Sequence, residues 1–190
     1  QPRADQRLIW LHAVSVGETR AAEPLIRALA ARHPDSMLLI THMTATGRET
    51  ALQLLGDLPS VNFAWLPYDY PGAVRRFLRR FRPSLGIVME TEAWPNLLRE
   101  CAAAGVPMLL ANARLSEKSE RGYRSVAPLA REVFSKFSAI AAQTGADAAR
   151  LVALGARPDA TAVTGNVKFD LAAAPAMAAK AQGRRAGPPA

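Results

Sequence analysis

Short apolar segments alternate along this chain with longer amphipathic ones. Leu8–Leu11 is apolar at every position, which is typical of a strand buried on both faces of a parallel sheet. The longer segments repeat apolar residues three and four apart, the period of a helix with one buried face. Repeated βα units of this kind predict an α/β fold, a Rossmann-like parallel sheet flanked by helices on both faces.

The pattern predicts these elements before residue 171. The strands are Leu8–His12, Met37–Thr41, Val61–Trp65, Leu85–Met89, Pro107–Ala111, Ala139–Ala142 and Thr161–Thr164. The helices are Gly17–Arg32, Gly47–Leu55, Pro71–Phe81, Pro95–Ala104, Ser119–Ser135 and Gly145–Leu154. Pro24 lies inside the first helix, and we expect it to kink that helix or delay its start, because proline lacks an amide hydrogen and clashes with the preceding turn.

The composition changes after Asp170. Residues 171–190 are rich in alanine and proline, carry basic side chains and end in Gly187–Ala190. Such residues bury too little apolar area to offset the entropy lost on ordering the chain. We therefore expect one domain over residues 1–170, followed by a linker or disordered tail over residues 171–190.

The overall composition, 49% hydrophobic and 21% charged, is that of a soluble globular protein. No apolar run approaches the roughly 18 residues that span a bilayer, and residues 1–7 lack a signal-peptide core. The single cysteine, Cys101, excludes an intrachain disulfide and fits a reducing compartment. We expect Cys101 to be a helix residue without a chemical role.

The net charge of +8 favours an anionic partner, whether nucleic acid, membrane surface or phosphorylated substrate.

Arginines cluster at the predicted helix Pro71–Phe81. Its apolar stripe is the core face, and no acidic residue accompanies the basic ones, which are Arg75, Arg76, Arg79, Arg80 and Arg82. Such a set suits anionic lipid headgroups, near which each basic residue contributes about 1 kcal/mol. Nucleic acid ranks lower, because no aromatic residues interleave with the basic ones on an exposed sheet and no known binding motif is present.

Polar residues follow each predicted strand, and the first such loop holds Ser15 and Glu18. Their S-x-x-E spacing is that of a capping box, in which the two side chains satisfy free amides at a helix start. The same loop lies at the carboxyl end of a strand, where open α/β sheets bind ligands. Taken alone, the motif favours capping over catalysis.

Two carboxylates, Glu90 and Glu92, follow the fourth strand. On an extended segment, residues two apart point the same way, so we expect a pair of carboxylates on one face. Metal ligation and acid or base catalysis use such pairs, but each Glu could also cap a helix or pair with an arginine. Trp94, two residues on, is a core residue or a substrate platform, and large aromatics are more often core.

Thr44–Arg48 forms a hydroxyl-rich turn into a helix, where amides and the helix dipole attract anions. It lacks the order of a P-loop, and the chain has no G-x-G-x-x-G, so nucleotide cradling is unsupported. The histidines His12, His33 and His42 have neither metal-ligand spacing nor cysteine companions, which makes a zinc site improbable. Ser15 does not lie in a G-x-S-x-G elbow, and we discount a Ser-His-acid triad.

The segments His12–Glu18, Glu90–Asn96, Asn112–Ser116 and Gly165–Asp170 together resemble the Kdo transferases, which add 3-deoxy-D-manno-octulosonic acid to the lipid A precursor. The resemblance covers about Leu8–Leu171, and the four segments come in order, each after a predicted strand. It implies a GT-B glycosyltransferase of two Rossmann-like domains, the first receiving the acceptor and the second binding the donor CMP-Kdo. This chain resembles the first domain.

Site roles follow from the resemblance. Glu18 matches the proposed catalytic base, which takes the acceptor hydroxyl proton while that oxygen attacks the anomeric carbon with inversion. At a helix N-terminus we expect Glu18 to stay ionised, with its basicity lowered by the dipole. Ser15 and Gly17 would shape its loop, with Gly17 allowing close backbone approach. The remaining substrate-binding candidates are Thr44, Arg48, Glu90, Glu92, Asn112, Arg114 and the cation Lys168.

The resemblance also implies partners and a location. It implies no metal and no cofactor, with CMP-Kdo as donor, a lipid A precursor as acceptor, no nucleic acid, and the cytoplasmic face of the bacterial inner membrane. Family members usually begin with an apolar anchor and continue into the donor domain. The chain departs from this at both ends, so we expect a piece or an isolated domain that is soluble and, because half the transition-state contacts are missing, inactive alone.

An alternative from another class stays open. In that alternative the chain is a noncatalytic Rossmann-like module that docks on an anionic lipid or other polyanion through its basic helix, with Glu18 only a cap. A sugar transferase with a different acceptor would share the fold and most of the loops.

Overall fold

The computed structural model describes residues 7–167. The strands of this region are β1 (Leu8–His12), β2 (Met37–His42), β3 (Val61–Trp65), β4 (Leu85–Met89), β5 (Met108–Ala113), β6 (Ala139–Ala142) and β7 (Thr161–Val163). The α-helices are α1 (Val16–Arg32), α2 (Ala45–Leu55), α3 (Pro71–Phe81), α4 (Pro95–Ala103), α5 (Glu117–Arg124), α6 (Ala127–Phe134) and α7 (Gly145–Ala153). A short 3₁₀ turn, Pro158–Ala160, precedes β7.

The strands form one seven-stranded sheet in the order β3-β2-β1-β4-β5-β6-β7, and every pair is parallel. Every residue of β1 is buried. Its side chains alternate between two apolar layers, with Trp10 packed among α3 and α4 residues and Leu11 among α1 and α2 residues. The predicted fold class is therefore confirmed, with helices on both faces of a parallel sheet.

One predicted helix is wrong: Ser119–Ser135 is two helices, α5 and α6, separated at Ser125 and Val126. Pro128 lies in the first turn of α6. In a continuous helix, Pro128 would leave one carbonyl without an amide partner and its ring would clash with the preceding turn; the break before α6 places it in a first turn instead, where proline is tolerated.

Pro24 does not delay α1, which begins at Val16 and continues through the proline. Other differences are of one or two residues at element ends, such as β5, which runs to Ala113 instead of Ala111. Cys101 lies in α4 as predicted and is fully buried. None of the helices between residues 7 and 167 has both the length and the apolar character needed to cross a bilayer.

The predicted boundary at residue 170 and the tail over 171–190 lie outside the described residues, as does Lys168. Within the described part, the loops that follow the seven parallel strands all lie at one edge of the sheet. Most of the candidate site residues belong to these loops.

Candidate functional site

The site is built where the chain reverses its direction across the sheet. β1 and β4 are adjacent, but the chain continues from β1 to β2 on one side and from β4 to β5 on the other. The loops after β1 and β4 therefore diverge, and this switch point is where open α/β sheets form their ligand crevice. Glu18 follows β1, and Glu90 and Glu92 follow β4.

Glu18 is part of a capping arrangement. Ser15 is the N-cap of α1, and its hydroxyl accepts from the Glu18 amide (3.3 Å) and donates to Glu18 Oε1 (2.9 Å). Glu18 Oε2 accepts from the Val14 amide (2.9 Å), one residue before the cap. The predicted capping box is thus present, with its second amide at residue 14, and it fixes the half-buried carboxylate at the crevice.

The pKa of Glu18 is raised, first by burial and then by the negative charges of Glu92 and Glu90. Its hydrogen bonds from Val14 and Ser15 lower the pKa; each is smaller than the effect of burial but larger than that of either glutamate. The contacts at the helix start thus lower the basicity of Glu18, but the net pKa shift is upward, because desolvation outweighs them. A more basic carboxylate is better suited to accept a proton.

Glu90 and Glu92 do not share a face by strand alternation. Glu90 has a left-handed backbone, φ 57°, and the Glu92 amide bonds back to the Met89 carbonyl at 3.3 Å in a turn. The prediction of an extended segment is wrong here, because the chain must turn sharply between β4 and the start of α4. Both carboxylates nevertheless act on Glu18.

Each of these two carboxylates has its own partner. Glu90 is buried and accepts from Arg114 Nε at 3.1 Å, whereas Arg114 itself is exposed. Glu92 is half-buried and accepts from the indole Nε1 of Trp94. Trp94 packs against the core on one side, so it is both the core residue we predicted and a polar contact of the site.

Asn112 lies at the end of β5 and is 1% exposed. Its backbone is left-handed, φ 52°, at a shift in the β5–β6 register. Its Oδ1 accepts from the Val167 amide (3.2 Å) and its carbonyl accepts from Gln143 Nε2 (3.0 Å). Asn112 therefore ties the loop after β7 to the crevice edge.

The start of α2 lies against the loop that carries Glu18. The Thr44 hydroxyl caps α2 and donates to the Val14 carbonyl (2.7 Å). A Cβ on Gly47 would come within 2.7 Å of the same carbonyl, so glycine allows this contact. Arg48 lies over the exposed ring of Trp65, 5.5 Å from its centroid.

Gly17, by contrast, is exposed, and a Cβ there would meet only the Ser15 hydroxyl at 3.9 Å. Packing within the described chain therefore does not require glycine at this position.

Two histidines are buried behind the crevice. His12 Nδ1 contacts the Thr41 carbonyl and hydroxyl, both at 3.0 Å, and His42 Nδ1 contacts the Ala13 carbonyl at 2.9 Å. Burial lowers both pKa values, that of His12 to about 4. Across residues 7–167, no three His, Cys, Asp or Glu side chains come together in a group that could hold a metal ion.

Two residues near the site had no role assigned from the sequence, although Asp69 is among the polar residues that follow the third strand. Tyr123 of α5 is half-buried, packs edge-on against Phe134 and has its pKa raised by burial and then by Glu92. Asp69 accepts from the Asn96 and Leu97 amides (3.1 and 2.7 Å) and so holds the start of α4. The Trp-Pro-Asn sequence at this helix start is a further signal, because Trp94 and Pro95 offer no side-chain cap and the amides need an acceptor from elsewhere.

The arginines predicted to face a membrane lie on the exposed side of α3, opposite the buried Val74, Phe77 and Leu78. These arginines are Arg75, Arg76, Arg79 and Arg80. Arg75 also pairs with Glu100 of α4 at 2.9 Å.

Residues 1–171 match the sequence model of a family described as 3-deoxy-D-manno-octulosonic-acid transferase, or kdotransferase. A protein of Bordetella pertussis named 3-deoxy-D-manno-octulosonic acid transferase is 48% identical over 167 residues. The namesake from Haemophilus influenzae is 40% identical over 163 residues. Each alignment covers 86% of this chain and 38% of the relative, so the chain spans well under half the length of these curated relatives.

Solved structures show the same fold at low identity. UDP-GlcNAc 2-epimerase from Neisseria meningitidis, bound to UDP-GlcNAc, superposes with a TM-score of 0.60 at 16% identity, covering 85% of this chain and 47% of that one. Anabaena Alr3699/HepE, in complex with UDP and glucose, gives 0.58 at 18% identity, covering 85% and 44%. These likenesses support a GT-B-like fold.

Proposed function

Because the chain belongs to the 3-deoxy-D-manno-octulosonic-acid (Kdo) transferase family, we propose that it forms the acceptor-binding half of an inverting glycosyltransferase. The donor would be CMP-Kdo, bound mainly by a second domain, and the acceptor a lipid A precursor. In this proposal, residues 1–170 are the acceptor domain and residues 171–190 lead toward the donor domain. The chain alone would not transfer sugar, because half of the transition-state contacts would be missing.

Glu18 carries the proposal as the catalytic base, called the candidate base below. Its carboxylate takes the proton of the acceptor hydroxyl, the hydroxyl oxygen bonds to the anomeric carbon, and CMP leaves with the electron pair of the broken bond. The supporting observation is a carboxylate at the switch point whose pKa is raised by burial and by Glu92 and Glu90. Each of its oxygens accepts one hydrogen bond from the loop, which leaves a lone pair for a proton.

The other candidates would complete the acceptor side. Arg114 is exposed beside Glu90 and suits a phosphate or carboxylate group. Thr44 and Arg48 stand at the start of α2, where amides and the helix dipole favour anions. Asn112 is buried and would act by holding the loop after β7, which leads toward Lys168.

The experiment is Glu18→Gln in the complete polypeptide that joins this chain to a donor domain. We expect turnover to fall by about two to four orders of magnitude, the usual contribution of a general base, with folding retained. Glu23→Gln is the matched control, because Glu23 lies on the same helix and pairs with Arg27 instead of facing the crevice. Near-normal transfer by Glu18→Gln would eliminate the base assignment.

We also propose that α3 faces the anionic surface of the inner membrane from the cytoplasmic side. Its support is four exposed arginines on one helix face, each worth about 1 kcal/mol near such a surface. In a flotation assay with anionic liposomes, less protein should float with the liposomes when Arg76 and Arg79 are both replaced by glutamine. Replacing Arg121 and Arg131 in α5 and α6 should have little effect.

The polyanion-binding alternative rests on the same four arginines. The two proposals differ in the liposome binding that they predict. A module that recognises only negative charge would bind all anionic liposomes equally. Adding lipid A precursor to liposomes of equal charge should increase binding if the chain recognises the acceptor. Equal binding would favour the noncatalytic module.

A further inference from the structure

Trp94 connects the buried end of β1 to a carboxylate of the crevice. Its ring meets the His12 ring edge-on, with centroids 5.9 Å apart and planes at 84°. Its indole Nε1 donates to Glu92 Oε2. Trp94 is also the N-cap residue of α4, without a side-chain cap, so this tryptophan contacts the core with one edge and a carboxylate with its only polar atom.

His12 gives Trp94 a fixed and uncharged neighbour. The imidazole is completely buried, and its Nδ1 is held by the Thr41 carbonyl and hydroxyl. The Thr41 hydroxyl in turn accepts from Trp10 Nε1 at 2.8 Å. Burial lowers the pKa of His12 to about 4, so the ring is neutral near pH 7 and adds no charge to the site.

Glu92 also acts electrostatically on two further groups besides its hydrogen-bond donor Trp94. Its negative charge raises the pKa of Glu18, which lies on the neighbouring loop, and that of Tyr123 on α5. Glu90 acts on Glu18 in the same direction but is held separately by Arg114. Within residues 7–167, the groups that act on the Glu18 carboxylate are Glu92 and Glu90 from the loop after β4, and the Ser15 hydroxyl and Val14 amide from its own loop.

We propose that Trp94 is a positioning residue, which holds Glu92 at a fixed place near the candidate base so that Glu18 and Glu92 act as a pair. The proposal rests on the proposed role of Glu18. Two like charges would separate if they could, because each is better solvated alone in water. The hydrogen bond from a tryptophan anchored in the core opposes that separation.

The pair matters for the chemistry. A carboxylate near a second negative charge binds a proton more tightly, and a base with greater proton affinity removes a proton more effectively as long as it is ionised at the working pH. If Trp94 releases Glu92, that carboxylate can rotate toward water, and Glu18 becomes a weaker base.

The test is a ¹³C NMR titration of the glutamate side-chain carboxyl carbons in this 190-residue chain. The variants are Trp94→Phe, which keeps a ring against His12 but removes the donor, Glu92→Gln, and both together. Trp65→Phe is the matched control, since Trp65 is half exposed at the end of β3. Thermal unfolding of each variant reports whether it is folded, and Glu92→Gln keeps Trp94 in place should Trp94→Phe fail to fold.

We expect the Glu18 midpoint to move to lower pH in Trp94→Phe and in Glu92→Gln. The double variant should match Glu92→Gln alone, because Trp94 acts through Glu92, and Trp65→Phe should match the wild type. An unchanged midpoint in folded Trp94→Phe, beside a lowered one in Glu92→Gln, would show that Trp94 does not position Glu92. An unchanged Glu18 midpoint in Glu92→Gln would show that Glu18 and Glu92 do not act as a pair.

The titration involves no turnover, so it distinguishes this proposal from the proposed function. If the Glu18 midpoint falls in Trp94→Phe and Glu92→Gln as expected but the Glu18→Gln enzyme is active, the pair stands and the catalytic role of Glu18 is removed. In the complete enzyme, Trp94→Phe should move the acid limb of kcat/KM to lower pH and reduce the plateau, whereas a merely structural loss would reduce activity at all pH values alike.

Discussion

Arg114 contacts one oxygen of Glu90 through two nitrogens, Nε at 3.1 Å and Nη2 at 3.0 Å. The carboxylate side chain is 9% exposed and the guanidinium side chain 61% exposed. The cation can therefore also meet a ligand from the solvent side while it compensates a buried charge. This pairing fixes one of the two carboxylates that follow β4.

Replacing Arg114 by methionine should destabilise the fold by about 1–3 kcal/mol, because a buried carboxylate loses two of its contacts. Urea unfolding at pH 7 measures the change. Adding Glu90→Gln should recover part of the loss, since a neutral amide costs less to bury than a carboxylate. Arg157→Met is the control: it breaks an exposed pair with Asp159 and should cost less than about 1 kcal/mol. Equal losses for Arg114→Met and Arg157→Met would contradict this account of Glu90.

Ser15→Ala should cost about 1 kcal/mol of stability, the usual value of an N-cap. It should also raise the pKa of Glu18 further, because the hydrogen bond from Ser15 lowers that pKa. Ser116 caps α5 in the same way, so Ser116→Ala should destabilise similarly without changing the Glu18 titration. An unchanged Glu18 midpoint in Ser15→Ala would mean that the hydroxyl serves the helix alone.

Gly47→Ala should destabilise by about 1–3 kcal/mol, because the new methyl group would press on the Val14 carbonyl and the Thr44 hydroxyl, both under 3.0 Å away, and force the backbone apart. Gly122→Ala in α5 meets nothing within 4 Å. It should instead stabilise by up to about 1 kcal/mol through helix propensity. Equal effects of the two substitutions in chemical denaturation would refute the close approach of α2 to the β1–α1 loop.

The free energy of unfolding should decrease as the pH is lowered, because His12 titrates. Its folded pKa, about 4, lies below its ordinary value of 6.5, so the folded state binds the proton less well than the unfolded one. The contribution is fully present above pH 6.5 and is lost as the pH falls toward 4, by about 3 kcal/mol in all. His12→Gln should reduce this slope, whereas His33→Gln, at an exposed position, should not. Parallel slopes for wild type and His12→Gln in urea unfolding would contradict the burial of a neutral imidazole.

The fold was predictable because hydrophobic burial leaves a direct pattern in the sequence. β1 is buried on both faces and reads as an unbroken apolar run, and α3 reads as an apolar stripe beside arginines. The break between α5 and α6 was missed, since the helical period continues across it and only Pro128 marks the interruption. The spacing of apolar residues reflects which side of a helix is buried. Pro128 removes one amide hydrogen from the backbone but does not change that spacing.

The sequence predicted which residues belong to the site better than it predicted their conformations and pKa values. Ser15 and Glu18 carry a local capping pattern, so their contacts followed from spacing. The left-handed backbone of Glu90 did not, because it is imposed by the turn into α4 and leaves no mark in a non-glycine residue. The net direction of the Glu18 pKa shift was missed for a related reason: desolvation depends on what packs around a group, and the groups that act on Glu18 come from two loops far apart in the sequence, after β1 and after β4.

The burial of Cys101 has a practical consequence for solution work. It is the chain's one cysteine, and burial, followed by the charge of Glu100, raises the pKa of its thiol to about 12. A shielded, protonated thiol reacts slowly with maleimides, because the thiolate is the reactive form. A cysteine introduced at exposed Thr91, between the two carboxylates, would thus be labelled selectively, and a fluorophore there would report ligand arrival in the crevice without removal of the native thiol.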